Sequence, residues 1–552
     1  MFNVFIVAII ITLYVEVIYR SSCLDWILRH PVKVLSNIMI YTGLIGLLNQ
    51  HLSLSLSVIL VVSIGLSLGY GNKYKYMFRG DNLYPWDLKL GKESSNMKSF
   101  LGLKSILLDV SLAAMILGLS MFMVKSTSLS DNQAMILMLI HFILIEISLL
   151  GHKDLPVKNQ TDFYARNGLA LAFLMNVKEW ATCSPSIKKE SYVKNCSSDV
   201  KSLDQTNKPN VVFIMNESFW DPSSLNVTFS KPLTQTLDSL KERSIHGQLV
   251  SPEFGGGTSN IEFEMLTGNS MYFFPTGTMA YKSYLNKNVD ALPMLFNNQG
   301  YNTLGLHAYE RWFWQRDKAY KYMGFKSFFS HESFDKPKVK GDFISDMTFS
   351  KEIIKKFEAS KEPLFLFGVT MQNHGPYKES RYQDYDIKVR GPLNDKALGE
   401  LRAYAQGIYD ADKALKHLVD YFSHQEDETI LVFFGDHLPM LGRSFSTFKQ
   451  CGLIKSQNPL KWSREEKINM ATTPFVIWSN KRNLCKDLGK VSPARIGLEV
   501  LKLAPIEKSS YFSWLDQVYD QYPVINKRIQ SSVDSDILSR YKHLQMNMLF
   551  NK

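Results

Sequence analysis

Hydrophobic residues form two different patterns along the chain. In the first 151 residues they form long apolar runs, and we count five, at about 2–19, 34–49, 52–71, 101–124 and 132–151. Runs of this kind are suited to crossing a hydrocarbon layer of about 30 Å as helices. Because Tyr19 and Arg20 follow the first run, with no small-residue cleavage site, we expect an anchor and not a removed signal peptide. The pattern predicts a domain of five transmembrane helices over residues 1–151.

The rest of the chain has shorter apolar runs. Residues 152–207 are polar and rich in Lys, Ser and Asn, which predicts a linker with one helical stretch near 161–180. In the domain predicted over 208–552, runs rich in Val, Ile and Phe alternate with amphipathic stretches. These runs are 210–215, 302–306, 363–370, 429–434 and 474–478. They predict buried parallel strands with crossover helices, hence an α/β domain with a mixed, mainly parallel sheet flanked by helices.

Polar side chains directly follow three of the predicted strands. Glu217 follows 210–215, His374 follows 363–370, and Asp436 and His437 follow 429–434. Each alone is more typical of a helix cap or a solvated loop. Because the carboxyl ends of parallel strands meet at one edge of a sheet, we expect these groups to converge. Carboxylate and imidazole together suit Mn²⁺ or Zn²⁺, so the sequence predicts a metal site there.

A glycine-rich segment supplies a hydroxyl that could complete this site. Gly255–Gly257 precede Thr258, and Ser259 and Glu262 have the spacing of a capping box. This would place Thr258 at the mouth of a helix, where unpaired N–H groups favour an anion. A metal bound to the Thr258 oxygen would make an alkoxide nucleophile available. In isolation, the segment also fits a plain glycine-rich turn with a helix cap.

Residues 307–317 are dense in aromatic and basic side chains. Arg316 could clamp a phosphate with two hydrogen bonds, and Trp314 could offer a flat surface to a polyol. A packed amphipathic turn is the alternative interpretation of the same pattern.

Five motifs, in this order along the chain, resemble the lipoteichoic acid synthase and phosphoglycerol transferase family, within the sulfatase and alkaline phosphatase superfamily. They are NESFWDP at 216–222, GGGTSNIEFEMLTG at 255–268, HAYERWFWQRD at 307–317, QNHGPY at 372–377 and FFGDHLPML at 433–441. The resemblance implies a sulfatase-like catalytic domain with one divalent metal, Mn²⁺ being expected and Zn²⁺ or Mg²⁺ the alternatives. By position, the implied metal ligands are Glu217, Thr258, Asp436 and His437, the catalytic groups Thr258 and His374, and the substrate-binding groups His307, Trp314, Arg316 and His374.

The implied reaction moves a glycerol-phosphate group from phosphatidylglycerol, through phospho-Thr258, to a bacterial cell-envelope glycan, glycolipid or polyglycerolphosphate chain. Two departures concern the acceptor. Tyr309 stands where lipoteichoic acid synthases have an acidic residue, so either Glu310 substitutes for it or the acceptor pocket differs. Residues 438–441, LPML, are also more apolar than in that synthase. The sequence therefore leaves the acceptor open.

Charge narrows the partners but gives conflicting evidence on topology. The 63 Lys+Arg against 52 Asp+Glu give a net charge of +11, spread over the membrane connections and surface, so we expect no nucleic acid partner. Cations in the connections near 20–33 and 73–98 would, with five spans, place the C-terminal domain in the cytoplasm. Chemistry on a lipid donor favours the outside instead. We expect a multi-pass cell-membrane protein with its catalytic domain on the extracytoplasmic face.

Three other functions are weighed against this one. A true sulfatase needs a C/S-x-P-x-R motif at the nucleophile, and Cys183-Ser184-Pro185-Ser186-Ile187 lacks the Arg and precedes the domain. A phosphoethanolamine transferase would share the Thr nucleophile and metal. A catalytically silent membrane sensor would have no chemical reason to keep all four ligands. The five cysteines form no C-x-x-C pair, and a Cys183–Cys196 disulfide is left open.

Overall fold

The computed structural model describes residues 2–18, 20, 23–91, 103–124, 160–182, 208–529 and 532–550. The chain divides into two compact units. One is Met1–Ser184 with Pro275–Gly277, and the other is Pro185–Phe274 with Thr278–Lys552. The boundary between them falls within the segment that the sequence predicts as a linker. Cys183 and Cys196, whose pairing the sequence leaves open, lie outside the described residues.

The described part of the first unit is helical. Its helices are Phe2–Val17, Cys23–Arg29, Pro31–Asn49, Leu54–Arg79, Leu103–Val124, Gln160–Asn167 and Leu169–Thr182, with a 3₁₀ turn at Pro85–Leu90. Within the described residues, three helical segments are long and apolar enough to cross a membrane: Pro31–Asn49, Leu54–Arg79 and Leu107–Val124. The first predicted span is a shorter helix of 16 residues, and the fifth, 132–151, lies outside the described residues. In the part of the chain that it describes, the structure therefore supports three of the five predicted spans.

The last two of these helices meet at a break, which the ion-paired side chains of Arg20 and Glu16 stabilise. Gly168 has a φ of +82° between Gln160–Asn167 and Leu169–Thr182. The Arg20 guanidinium donates to the carbonyls of Tyr164 and Ala165 at 2.9 and 2.7 Å, while the Glu16 carboxylate accepts from the Leu169 N–H at 2.6 Å. A cation at helical carbonyls and an anion at helical N–H groups satisfy both ends of the break. Residues 160–182 thus pack into the first unit, although the sequence places them in a linker.

An eight-stranded sheet organises the second unit. The strands of the unit are β1 Asn210–Asn216, β2 Thr228–Phe229, β3 Ile245–Val250, β4 Asn302–His307, β5 Ser327–Phe329, β6 Val339–Lys340, β7 Phe343–Ile344, β8 Leu364–Val369, β9 Val389–Arg390, β10 Thr429–Gly435, β11 Thr472–Ser479 and β12 Lys486–Val491. The main sheet has the order β12-β3-β11-β10-β1-β8-β4-β5, while β2 pairs with β9 and β6 with β7. Strand β1 is parallel to β10 and β8, and β4 is parallel to β8 and β5. The predicted mainly parallel α/β sheet is confirmed.

One strand differs from the prediction. The run at 474–478 was expected to be a parallel strand, but β11 is antiparallel to both β10 and β3. Its apolar pattern could not distinguish these directions, because a strand buried in the sheet is apolar in either one. Strands β3, β5 and β12 were not predicted, since β5 has only three residues and β12 is mostly polar and exposed.

Helices surround this sheet. They are Gln235–Leu240, Thr258–Thr267, Ala280–Ser283, Leu292–Asn298, Arg316–Tyr322, Asp346–Ala359, Asp395–Ser423, Ser446–Gln450, Arg464–Asn469, Pro493–Leu503, Ser510–Gln521 and Ser535–Phe550. Strands β1, β8 and β10 are buried along their whole length, which explains their unbroken Val, Ile, Leu and Phe runs. The carboxyl ends of these three neighbouring strands are where chemistry is expected.

Candidate active site

Two neighbouring strands bring three candidate metal ligands together. Asn216 at the end of β1 is in register with Gly435 at the end of β10, so the residues that follow them emerge side by side. His437 Nε2 lies 3.2 Å from Asp436 Oδ2 and 3.9 Å from Glu217 Oε1. One ligand atom from each of the three residues lies within 4.8 Å of the others. The structure therefore brings together three of the four groups that were predicted to converge.

Hydrogen bonds to backbone and side-chain groups orient these ligands. Asp436 Oδ1 accepts from the backbone N–H groups of Ser218 and His437, both at 2.8 Å. Ser218 has a φ of 53° and its hydroxyl donates to Glu217 Oε1 at 2.8 Å. The ring Nδ1 of His437 donates to the Leu438 carbonyl at 3.0 Å, so its Nε2 carries the lone pair. The remaining acceptor atoms, Asp436 Oδ2 and His437 Nε2, are thus directed at the cluster.

The donor set fits a divalent cation. Asp436 Oδ2 and His437 Nε2 are buried and have no hydrogen-bond partner among the described residues. Burial and the nearby Asp436 carboxylate raise the pKa of Glu217 to about 7. A buried pair of carboxylates is costly unless a positive charge compensates it. Two carboxylates and one imidazole could hold Mn²⁺ or Zn²⁺.

The loop that carries Thr258 is anchored beside this cluster. Gly255, Gly256 and Gly257 have φ values of 62°, 139° and 89°, a conformation that other residues rarely adopt. The Gly255 N–H donates to the Leu438 carbonyl at 3.1 Å, the same oxygen that accepts from His437. Thr258 is then the first residue of the helix Thr258–Thr267 and is buried. The hydroxyl side chain thus follows a loop fixed next to a candidate metal ligand.

The capping-box interpretation of this segment is wrong. Gly257 is the N-cap residue, in a left-handed conformation, and no side chain caps the helix. The Ser259 hydroxyl instead faces the sulfur of Met279 at 3.8 Å, and the Glu262 carboxylate is bound by Arg316. With Gly257 as the N-cap, the helix begins at Thr258. A cap at Ser259 would have made it begin two residues later.

His307 and Arg316 meet at the end of β4. Arg316 Nη1 donates to His307 Nε2 at 3.0 Å, and His307 Nδ1 donates to the Val369 carbonyl at 3.1 Å. Arg316 also donates through Nε and Nη2 to Glu262 at 3.0 and 2.5 Å. The sequence predicts Arg316 as a phosphate clamp; in this structure a carboxylate of the protein occupies one edge of its guanidinium.

His374 follows β8 in a loop that Arg381 holds. The Arg381 guanidinium donates to the His374 carbonyl at 2.6 Å and to the Gln372 carbonyl. His374 Nδ1 donates to the Gly375 carbonyl at 2.8 Å, which leaves Nε2 as the acceptor atom. Burial lowers the pKa of His374. The ring is therefore neutral near pH 7.

Trp314 lies in a strained turn. Trp314 and Gln315 have consecutive left-handed φ values of 59° and 55°. Such strain in residues other than glycine tends to collect at ligand-binding and catalytic sites. The indole is mostly buried and packs against Phe313 with ring centroids 5.0 Å apart.

The sequence interpretation gave no role in the site to several residues that support it. Ser218 and Glu262 lie inside the motifs at 216–222 and 255–268, so their neighbours gave a usable signal. Thr370, whose hydroxyl accepts from the Glu217 N–H at 3.1 Å, directly follows β8. Arg381 gave no local signal, because its role depends on carbonyl groups that only the folded loop brings near it.

Fold and site together define an α/β protein with a candidate metal centre at the carboxyl ends of a mainly parallel sheet. Residues 209–506, more than half of the chain, match the sulfatase family. The chain belongs to the sulfatase family. The matched residues begin after Cys183–Ile187 and include Thr258.

Three known proteins show the range of its relatives. A putative cyclic β-1,2-glucan modification protein of Rhizobium meliloti is 36% identical over 413 residues, which cover 71% of this chain and 63% of that protein. The chain thus spans less than two thirds of this relative. A phosphoglycerol transferase of Streptococcus pyogenes, solved in complex with sn-glycerol-1-phosphate, is 25% identical with a TM-score of 0.53 and covers 62% of this chain and 87% of its own.

An integral membrane lipooligosaccharide phosphoethanolamine transferase A of Neisseria meningitidis has the same fold. It matches with a TM-score of 0.57 and 12% identity over 93% of this chain and 97% of its own. The family resemblance predicted from the five motifs is confirmed.

Proposed function

We propose that this protein is a membrane-bound, metal-dependent phosphoglycerol transferase, with phosphatidylglycerol as donor and a cell-envelope glycan, glycolipid or polyglycerolphosphate chain as acceptor. The observation that carries the proposal is the Leu438 carbonyl, which anchors both the loop of Thr258 and the candidate ligand His437. This contact ties the loop before Thr258, the buried first residue of its helix, to the residue that follows a candidate metal ligand, which supports Thr258 as a fourth ligand and nucleophile. The similarity to the Streptococcus pyogenes phosphoglycerol transferase supports the transferred group.

The proposed reaction has two displacements at phosphorus. The Thr258 oxygen attacks the phosphodiester, a Thr258 O–P bond forms, and the P–O bond to diacylglycerol breaks. An acceptor hydroxyl then attacks phospho-Thr258 and restores the free threonine. Glu217, Thr258, Asp436 and His437 would hold the cation, whose charge would lower the pKa of the threonine hydroxyl and stabilise the phosphate oxygens.

His374 is the group that we propose moves the proton. The hydroxyl proton of Thr258 must end on the oxygen of the leaving diacylglycerol, and the acceptor hydroxyl must lose a proton in the second step. His374 suits this because its lowered pKa keeps the ring neutral and its Nε2 is the acceptor atom. His307 is held between Arg316 and the Val369 carbonyl and is assigned to substrate binding.

The acceptor pocket should differ from that of lipoteichoic acid synthases. Tyr309 packs edge-on against Phe313 and Phe343, with centroids 5.3 and 6.0 Å away. Glu310 is 40% exposed and its Oε1 lies 3.8 Å from His331 Nε2. The Glu310 carboxylate is thus exposed near His331 and away from the buried groups of the site, which supports an aromatic acceptor surface at Tyr309 over a substituted acid. Aromatic surfaces suit sugar rings, and the Rhizobium relative is named for glucan modification.

Phosphoethanolamine transfer is the second candidate, because the Neisseria enzyme matches the fold over most of the chain. The two donors separate the candidates. The full chain in detergent with Mn²⁺ should release diacylglycerol from phosphatidylglycerol and not from phosphatidylethanolamine, and chelation of the metal should stop the release. Preferential consumption of phosphatidylethanolamine would overturn the proposed donor.

A further inference from the structure

A buried ion pair links the helix of Thr258 to the segment that carries Arg316. Arg316 donates to Glu262 Oε1 through Nε at 3.0 Å and through Nη2 at 2.5 Å. Tyr320 and Tyr281 donate to Glu262 Oε2 at 2.8 and 3.2 Å. The two charged side chains are 0% and 1% exposed. The charge of Arg316 is therefore compensated inside the protein.

The same guanidinium fixes the protonation of His307. A backbone carbonyl can only accept, so the hydrogen bond to Val369 places the ring proton on Nδ1. A guanidinium can only donate, so His307 Nε2 must accept from Arg316 Nη1. Burial and the charge of Arg316 both lower the pKa of His307, in agreement with a neutral ring.

The geometry of the pair determines which part of Arg316 is left for a substrate. Glu262 occupies the edge formed by Nε and Nη2, while Nη1 donates to His307 and lies 3.5 Å from the Phe313 carbonyl. A guanidinium has five N–H groups in a fixed plane. The second N–H of Nη2, at the same end as Nη1, is then directed away from Glu262. Because Glu262 is four residues after Thr258, both lie on one face of the helix.

We propose that Glu262 is a positioning residue of the donor site: by holding one edge of Arg316, it aims the opposite end at His307 and at an anionic oxygen of the lipid donor. This inference rests on the proposed function. Arg316 then donates a directed hydrogen bond to the donor and fixes the tautomer of His307. Its positive charge is already compensated by Glu262.

The test compares Glu262→Gln with Glu264→Gln in the full chain. Both residues are buried carboxylates of the helix Thr258–Thr267, but Glu264 bonds Ser270 and Met271 instead of Arg316. Glu262→Gln leaves the Arg316 charge uncompensated and loosens its orientation. We expect kcat per folded molecule to fall at least about tenfold without a rise in KM for phosphatidylglycerol, since misorientation acts mainly on the transition state. Glu264→Gln should keep kcat.

Tyr320→Phe keeps the test decisive if Glu262→Gln does not fold. It removes one hydrogen bond to Glu262 and no charge, so kcat should fall in the same direction but less. Unchanged kcat per folded molecule in the Tyr320→Phe variant, or an equal fall in Glu264→Gln, would overturn the positioning role.

A second readout does not depend on the donor. Ring ¹⁵N signals of His307, assigned with His307→Gln, should show the Nδ1-protonated tautomer in the wild type and a shifted Nε2 signal in Glu262→Gln or Tyr320→Phe. Glu264→Gln should leave both signals in place. If the wild type consumes no phosphatidylglycerol, the proposed function fails, whereas an unmoved His307 Nε2 signal overturns the positioning role itself.

Discussion

The Leu438 carbonyl is the residue-scale feature on which the site depends most. Its oxygen accepts from Gly255 N–H and from His437 Nδ1, at 3.1 and 3.0 Å. A carbonyl oxygen has two lone pairs, so both are used. One atom therefore fixes the tautomer of a candidate ligand and the start of the loop before Thr258. The apolar residues that follow His437 do not prevent this, because the anchor is a backbone group.

Loss of His437 should weaken metal binding specifically. His437→Ala removes the lone pair at Nε2, and calorimetric titration with Mn²⁺ should show an affinity at least about a hundredfold lower than that of the wild type. His424→Ala is the matched control, because His424 is exposed and its ring bonds only the Asp420 carbonyl among the described contacts. Equal affinities in the wild type and His437→Ala would exclude His437 as a ligand.

Glu264 should make stability depend on pH. Burial raises its pKa from 4.5 to about 8. Because the folded state binds this proton more tightly than the unfolded state, the stabilisation is complete below about 4.5 and is lost as pH rises through about 8. The wild type should therefore lose more of its thermal unfolding midpoint across this range than Glu264→Gln. Parallel pH curves for the two proteins would contradict the raised pKa.

At the scale of elements, the glycine loop before Thr258–Thr267 is under two constraints. A Cβ at Gly257 would lie 2.9 Å from atoms of the Glu253 side chain, and its φ is +89°. Gly452 has a similar φ of +77°, but a Cβ there would meet nothing within 4 Å. Both Gly257→Ala and Gly452→Ala should cost about 1–2 kcal/mol of stability from the left-handed backbone.

Only Gly257→Ala should also lose transferase activity, because the new methyl group displaces Glu253 and the turn into Thr258. Diacylglycerol release per folded molecule is the measurement. Equal activity in the two variants would show that the loop geometry does not position the nucleophile.

Much of the sheet, but less of the site, could be predicted from the sequence. Strands β1, β8 and β10 could be predicted because both of their faces are buried, which makes their sequences continuously apolar. Since the strands are parallel, the polar residues that follow them were expected at one edge of the sheet. The direction of β11 and the existence of β12 depend on partners far away in the chain. The role of Glu262 was misassigned since capping-box spacing is local, whereas its contact with Arg316 spans 54 positions.

At the scale of the whole molecule, two arguments disagree on which side of the membrane the catalytic domain lies. The distribution of cations predicts the cytoplasm, whereas chemistry on a lipid donor favours the outside. Cys485 is exposed and Cys451 is buried in the second unit. In a variant that keeps Cys485 and carries Ser at the other four cysteines, a membrane-impermeant maleimide should label Cys485 while the cells are intact. Cys485→Ser in the same background is the control. Labelling only after lysis would place the domain in the cytoplasm, as the distribution of cations predicts.

The central claim is that Thr258 carries the transferred group. Full-length protein incubated with Mn²⁺ and phosphatidylglycerol, without acceptor, should be quenched, digested and analysed by mass spectrometry. The account predicts one glycerophosphoryl group on the peptide containing Thr258, released diacylglycerol, and neither product in Thr258→Ala. Diacylglycerol release by folded Thr258→Ala at the wild-type rate, or a glycerophosphoryl group on another residue, would contradict it.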